Sequence, residues 1–494
     1  MSNTIQGAHG EEHSVPKFPD IPMFQGINAP SRIEIDLHDL EVEGDLPRSL
    51  SGAFYRVAPD HQYPPRFLDD VPFNADGTIS RFLFENGRVH LRHRYVQTER
   101  FRLERAAGRA LYGKYRNAFT DDASVVGKSR NLANTTPLVW HGKLLALRED
   151  SPPIAMDPIT LETQGDWSFH ETLPGPTFTA HPKIDPVTGQ MIAFGFAAKG
   201  LYSRDVAYYE IGPSGKVTHQ VWFELPYYCM LHDFGVTEDY AVFPVIPVCG
   251  VGAEALKAGR PHYAWDSTKD IYLGVLPRGG AHKDLRWFRA PNQFCSHVMN
   301  AFSDGTRVHI DVPVAAGNMF PFFPEIGKPW DPSKAHSRMT RWTVDLSSSR
   351  EGFQSVEPLT DYVGEFPKTD HRYQTRPYRH GWLLGFDPLR SSIAHVDHTT
   401  GKTTTWSADS NTSLQEPCFI PRSEAAAEGD GYIITVATRI REMRTDVFLL
   451  DAQHLADGPV ATIRLPLRLR PGYHGNWASG SELGLSPNNN GVRA

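Results

Sequence analysis

An all-β fold of the β-propeller kind, built from successive antiparallel hairpins, is what the sequence predicts, and three observations carry that expectation. From about residue 50, short runs rich in Val, Ile, Tyr, Phe and Trp recur, joined by Gly, Asn or Asp turns. The pattern persists for more than 400 residues, too far for one sandwich. No long amphipathic helical period interrupts it.

The hairpins can be read in order along the chain. SRFLFENGRVHLRHRYVQ folds back at Asn86-Gly87, a pair that tolerates the positive φ of a tight two-residue turn. PLVWHGKLLALRED, HPKIDPVTGQMIAFGFAA and DVAYYEIGPSGKVTHQVWFEL repeat the scheme, followed by AFSDGTRVHIDVPV and IAHVDHTTGKTTTWSA. Pro/Gly-rich stretches such as NMFPFFPEIGKPWDPSKA read as long loops over one end of the fold. No WD-type signature repeats, so residue pattern alone gives no blade count, and a pair of large β domains stays open. Residues 1–30, whose first part is polar and rich in Gly and Pro, are expected to form a flexible extension, with 31–494 as a single catalytic β domain.

Composition narrows the function. The 494 residues carry 50 Lys and Arg against 57 Asp and Glu, a net charge of −7 with no basic stripe, which argues against a nucleic-acid partner. Cys229, Cys249, Cys295 and Cys418 are too dispersed for a disulfide framework. No basic-then-apolar leader and no apolar run of membrane-spanning length occurs, so no integral membrane segment is expected and the cytoplasm is the expected location.

The chemistry rests on histidine. Of 22 histidines, His9, His13, His141, His371 and His398 lie in polar turns or tails, where a solvated imidazole is the simpler reading. His181 in TFTAHPK, His232 in YYCMLHDF, His297 in FCSHVMNAF and His474 in GYHGNW instead follow or interrupt apolar stretches, as at the inner end of a buried strand. Their separations of 51, 65 and 177 residues suit ligands drawn from different repeats around one axis. Any one of them alone reads more naturally as a core histidine. Four neutral imidazoles together would suit iron, copper, zinc or nickel rather than calcium or magnesium. Such a set needs outer carboxylates to hold each ring; Glu149, Glu365 and Glu416 are candidates, each equally readable as a strand cap or an arginine partner.

The segments around these four histidines, with FYRVAPD, FNADGTISRF, EPCFIPR and EGDGY, resemble the carotenoid cleavage oxygenase family over essentially the whole chain after residue 30. KYRNAFTDD, DFGVTEDY and RWFRAP are most similar to its branch that cleaves stilbenes and phenylpropenes, such as lignostilbene, resveratrol and isoeugenol. The resemblance implies a seven-bladed propeller with a dome of loops and short helices over the active site. It implies Fe(II) held by His181, His232, His297 and His474, dioxygen as co-substrate, and Glu149, Glu365 and Glu416 as outer carboxylates. Thr135 falls on the residue that crowds one open coordination position; Phe73 and Phe320 fall on aromatics that pack against a phenolic alkene. Tyr115 matches the tyrosine that meets the substrate's 4-hydroxyl, and Arg148 stands where that branch usually carries a lysine. Arginine stays protonated where lysine can exchange a proton, so specificity should change more than chemistry. Cleavage of an apocarotenoid or a short styrene, and a metal-free binding scaffold, are the competing expectations. A zinc hydrolase is disfavoured because hydrolytic zinc keeps three protein ligands and a water. A homodimer remains open.

Overall fold

The computed structural model describes residues 17–386 and 390–485, and these are mostly β. Among them the α-helices are short, Glu99–Ala107 and Ala253–Lys257. The remaining elements are antiparallel strands in several separate sheets, each made mainly of strands consecutive in sequence.

Thr136–Trp140, Lys143–Leu147, Ile154–Met156 and Thr163–Asp166 form one four-stranded sheet, and Lys183–Ile184, Met191–Phe196, Asp205–Ile211 and Val217–Glu224 form the next. A third contains Gly235–Val236, Tyr240–Val245, Ile271–Pro277 and Arg286–Ala290. The 15-residue strand Ser355–Thr369 then joins two groups into one eight-stranded sheet. It pairs back with Arg338–Asp345 and forward with His380–Phe386. The chain closes on itself. Gly475–Ser479 pairs with Gly52–Asp60, while Glu41–Gly44 completes a sheet otherwise built from Thr412–Leu414 to Pro459–Arg464.

Local chemistry explains the strands. Asn86 and Gly87 adopt φ of 55° and 74°, and His141 and Gly142 adopt 56° and 71°. These are the paired left-handed residues of a two-residue hairpin whose twist matches its strands. Glu85 accordingly faces Arg88, and Trp140 faces Lys143. All residues of Gly52–Asp60 and Met191–Phe196 are buried, as expected of strands covered on both faces. Val217–Glu224 is an edge strand and alternates between partly buried and exposed positions. The core is continuous across neighbouring sheets: Phe194, Phe234 and Phe243 pack edge-on or stacked with centroids 4.9–6.0 Å apart.

Residues 1–16 of the expected extension, including His9 and His13, lie outside the described residues. From Pro22 onward the segment makes two short 3₁₀ turns, with Phe24 buried edge-on against His61. His398 departs from its expected solvated state. Its ring packs 4.8 Å from that of Tyr378, and both ring nitrogens are buried without a hydrogen-bond partner.

Candidate metal centre

The four histidines singled out by context converge. Their ligand-type nitrogens all lie within 4.8 Å of one another. His181 precedes Lys183–Ile184, His232 precedes Gly235–Val236, His297 lies between Phe294–Cys295 and Asn300–Asp304, and His474 precedes Gly475–Ser479. Each therefore enters at the edge strand of a different sheet, and the edges meet at the centre. His232 Nε2 lies 3.1 Å from both His181 Nε2 and His297 Nε2.

Three rings are held from behind. His297 Nδ1 lies 2.7 Å from Glu365 Oε2, His474 Nδ1 lies 2.8 Å from Glu416 Oε1, and His232 Nδ1 contacts Glu149 Oε1. With Nδ1 donating to a carboxylate, each Nε2 presents a lone pair inward, and neighbouring lone pairs at 3.1 Å have nothing to bond but a cation. The donor set thus fits a metal ion. Burial and the surrounding imidazoles hold His181 well below the usual histidine range, and burial brings His474 to about 4. Both values favour the neutral form a ligand requires. Burial also opposes charge on His297, but the Glu365 carboxylate outweighs it and moves its pKa up.

Glu365 owes its aim to a β-bulge. The register of Ser355–Thr369 shifts between Glu365 and Lys368, and the intervening Phe366 takes φ of 53°. The same irregularity places the Phe366 ring 5.2 Å from His297 and 5.5 Å from His474. It also brings Lys368 Nζ to 3.2 Å from Glu416 Oε1. Burial would raise Glu416, but Lys368 and His474 bring it down to about 2.

A second group of expected residues gathers as an aromatic cluster. Phe73 packs edge-on against Tyr115 at 5.0 Å and against Phe322 at 5.2 Å, and Phe320 stacks with Phe322 at 5.3 Å. The Arg148 guanidinium lies over the Tyr115 ring, 5.5 Å from its centroid. Arg148 Nε donates to Asp150 Oδ1 at 2.9 Å, while Tyr115 Oη has no hydrogen-bond partner among the described residues. Burial raises the Tyr115 phenol. Thr135 is half-buried beside Asn134, whose amide donates at 2.7 Å to the carbonyls of Phe73 and Ala75. Asn134 Oδ1 also lies 3.5 Å from both Thr135 Oγ1 and Arg148 Nη1, so one buried amide ties three expected residues together.

A cavity of about 440 Å³ reaches the histidines from elsewhere. His181, His297 and His474 line it with Lys183, Lys368 and Glu416; none of Phe73, Tyr115, Thr135, Arg148 or Phe320 does. Sequence reading missed Asn134, Asp150, Lys368 and Arg116. The last stands beside Tyr115 in the KYRN run, and two adjacent acids, Glu149-Asp150, were the available hint that a buried cation must face them.

Residues 28–479 match the family described as RPE65, retinal pigment epithelial membrane protein, and the chain belongs to this carotenoid oxygenase family. It is 49% identical to lignostilbene-alpha,beta-dioxygenase isozyme III of Sphingomonas paucimobilis, covering 95% of this chain and 99% of that one. It is 42% identical to isoeugenol monooxygenase of Pseudomonas putida, over 93% and 98% of the two chains. The crystal structure of Pseudomonas brassicacearum lignostilbene dioxygenase superposes with a TM-score of 0.91 at 45% identity, covering 94% of this chain and all of that one. No helix among the described residues is long and apolar enough to cross a membrane.

Proposed function

We propose that this chain is an Fe(II)-dependent dioxygenase that cleaves the C=C bond of a 4-hydroxyphenyl stilbene or phenylpropene to two carbonyl products. The observation that carries the proposal is the inward convergence of four imidazoles, three of them backed by carboxylates. His232 Nε2 lies 3.1 Å from both His181 Nε2 and His297 Nε2, close enough for these imidazoles to share one ion. Four protein ligands exceed the three that a hydrolytic zinc site usually keeps, which supports iron. Bound Fe(II) would supply the dioxygen chemistry.

The residues of the chain supply the rest. His181, His232, His297 and His474 hold the ion, and Glu149, Glu365 and Glu416 fix three of their rings. Phe73 and Phe320 form aromatic walls that orient the substrate and exclude water. Tyr115 Oη and Arg148 bind the phenol oxygen; Arg148, paired with Asp150, donates and cannot accept the phenol's proton. Thr135, 3.5 Å from Asn134 Oδ1, would limit access to a bound ion. The identity to isoeugenol monooxygenase supports a second reading, a shorter styrene cleaved at the same site to a vanillin-like aldehyde.

For the fold, we read the sheets as seven blades of a propeller, counting the eight-stranded sheet as two divided within Ser355–Thr369 and setting aside the two-stranded sheet Val248–Gly250 with Tyr263–Trp265, with residues 31–494 as one catalytic unit. The pairing of Gly475–Ser479 with Gly52–Asp60 supports this reading.

The test is anaerobic loading with Fe(II), then air with a stilbene, isoeugenol, 4-vinylguaiacol and an apocarotenal, products being read by mass. Aldehydes from 4-hydroxyphenyl alkenes alone are expected, lost when the hydroxyl is removed. Cleavage of the apocarotenal alone would overturn the substrate class; failure to bind Fe(II) would overturn the enzyme.

A further inference from the structure

Arg116 is the element of the site that neither the histidine pattern nor the expected substrate contacts account for. It is 4% exposed, and its guanidinium touches both halves of the site. Arg116 Nη2 lies 3.8 Å from Glu149 Oε2, the carboxylate behind His232. Its Nε lies 3.3 Å from Asp150 Oδ2, the carboxylate whose other oxygen holds Arg148. Its Nη1 donates to Tyr263 Oη at 2.6 Å. The guanidinium carbon sits 4.9 Å from the Phe196 ring centroid and 5.6 Å from those of Tyr115 and Tyr263. The backbone there is unusual for a side-chain-bearing residue, with φ of 51°, a conformation that persists only where the surroundings impose it.

We infer that Arg116 is a positioning residue that couples the metal-holding histidine His232 to the phenol-binding Arg148. Glu149 and Asp150 are adjacent acids in a buried setting, and without a shared cation they would repel each other. Arg116 faces both carboxylates at ion-pair distance without hydrogen-bonding either, so its single positive charge lies between the two acids while Nη1 is anchored on Tyr263 Oη. A shift in one carboxylate is then felt by the other. The inference about Arg148 rests on the proposed function; the inference about the metal does not.

The test compares Arg116→Met, Arg116→Lys and Asp150→Asn with the intact protein. A control, Arg341→Met, removes the charged partner of the buried Asp311, an ion pair that involves neither Glu149 nor Asp150. Fe(II) affinity is measured by chelator competition, the visible bands of the Co(II)-loaded protein are recorded, and KM and kcat are taken on a 4-hydroxyphenyl alkene. Arg116→Met is expected to weaken metal binding about tenfold, in the range seen when outer partners of metal ligands are lost, to shift the cobalt bands and to raise KM. Arg116→Lys should restore most of the metal affinity while KM stays raised. Asp150→Asn should raise KM with metal affinity within about threefold, and it keeps the proposal falsifiable should Arg116→Met fail to fold. Unchanged cobalt bands with metal affinity within about twofold in Arg116→Met would overturn the proposal, as would equal shifts in Arg341→Met. A KM unchanged in Asp150→Asn would overturn the link to Arg148. If the intact protein cleaves no phenolic alkene, the proposed function falls while the metal measurements still decide on Arg116.

Discussion

The two sides of the histidine cluster are built on opposite principles. On one side Phe73, Tyr115, Phe320, Phe322 and Phe323 pack ring against ring, with two arginines facing two acids beside them and the Asp70 carboxylate accepting from Tyr115 N at 3.0 Å. On the other, a cavity is lined by paired ions: Lys183 with Asp233 at 2.7 Å and Lys368 with Glu416 at 3.2 Å. The aromatic side suits an apolar, planar ligand whose ring oxygen needs one polar contact. The ionic side reaches three histidines directly and suits water. Under the proposed function, the difference teaches that metal retention and substrate choice would be held by separate residues, with the Glu149-Asp150 pair as the meeting point.

That separation can be broken experimentally. The largest effect is expected from His297→Ala, which removes a ligand and the purpose of Glu365 together; metal content by mass spectrometry should fall to background and turnover with it. Glu365→Gln comes next. It keeps the shape but weakens the hold on His297 Nδ1, so Fe(II) affinity should drop about 10–100-fold with KM little changed. A KM shift larger than the affinity shift would dissolve the proposed division of labour.

Asp150 gives a smaller, pH-dependent effect. Burial would raise its pKa, but Arg148 and Arg116 depress it to about 2. A depressed carboxylate contributes stability that is full above its unfolded pKa of about 4 and is lost as pH falls toward 2. Between pH 5 and pH 2 the stability gap between the intact protein and Asp150→Asn should therefore narrow by about 2 kcal/mol, read by urea denaturation. A gap independent of pH would show that the ion pairs contribute nothing net. The smallest effects belong to the aromatic side. Phe73→Ala should raise KM about tenfold from lost ring packing, and Arg148→Lys should change kcat/KM only severalfold while adding an ionisation to its pH profile. Either substitution releasing metal would contradict the separation.

Much of this was legible in the residues. The hairpins were marked by turn pairs such as Asn86-Gly87, and the four histidines by apolar surroundings that polar-turn histidines lack. Glu149, Glu365 and Glu416 could be named, but not what aims them. Glu365 depends on a bulge whose left-handed residue is Phe366, a type that gives no turn signal. Arg116 and Asp150 were hidden because an ion pair between two loops leaves no periodicity. His398 sits in a run of turn residues, yet Tyr378 covers it, a contact set by tertiary packing alone.

The pairing of Gly475–Ser479 with Gly52–Asp60 carries a consequence for assembly. His474 is delivered by a strand that finds its neighbour only when distant stretches of chain meet, as when Arg464 meets Glu41 across 423 positions. The set of four imidazoles is therefore complete only after that long-range closure. Under the proposed function, an ion captured earlier would meet three of the imidazoles at most, so full coordination would require the folded chain.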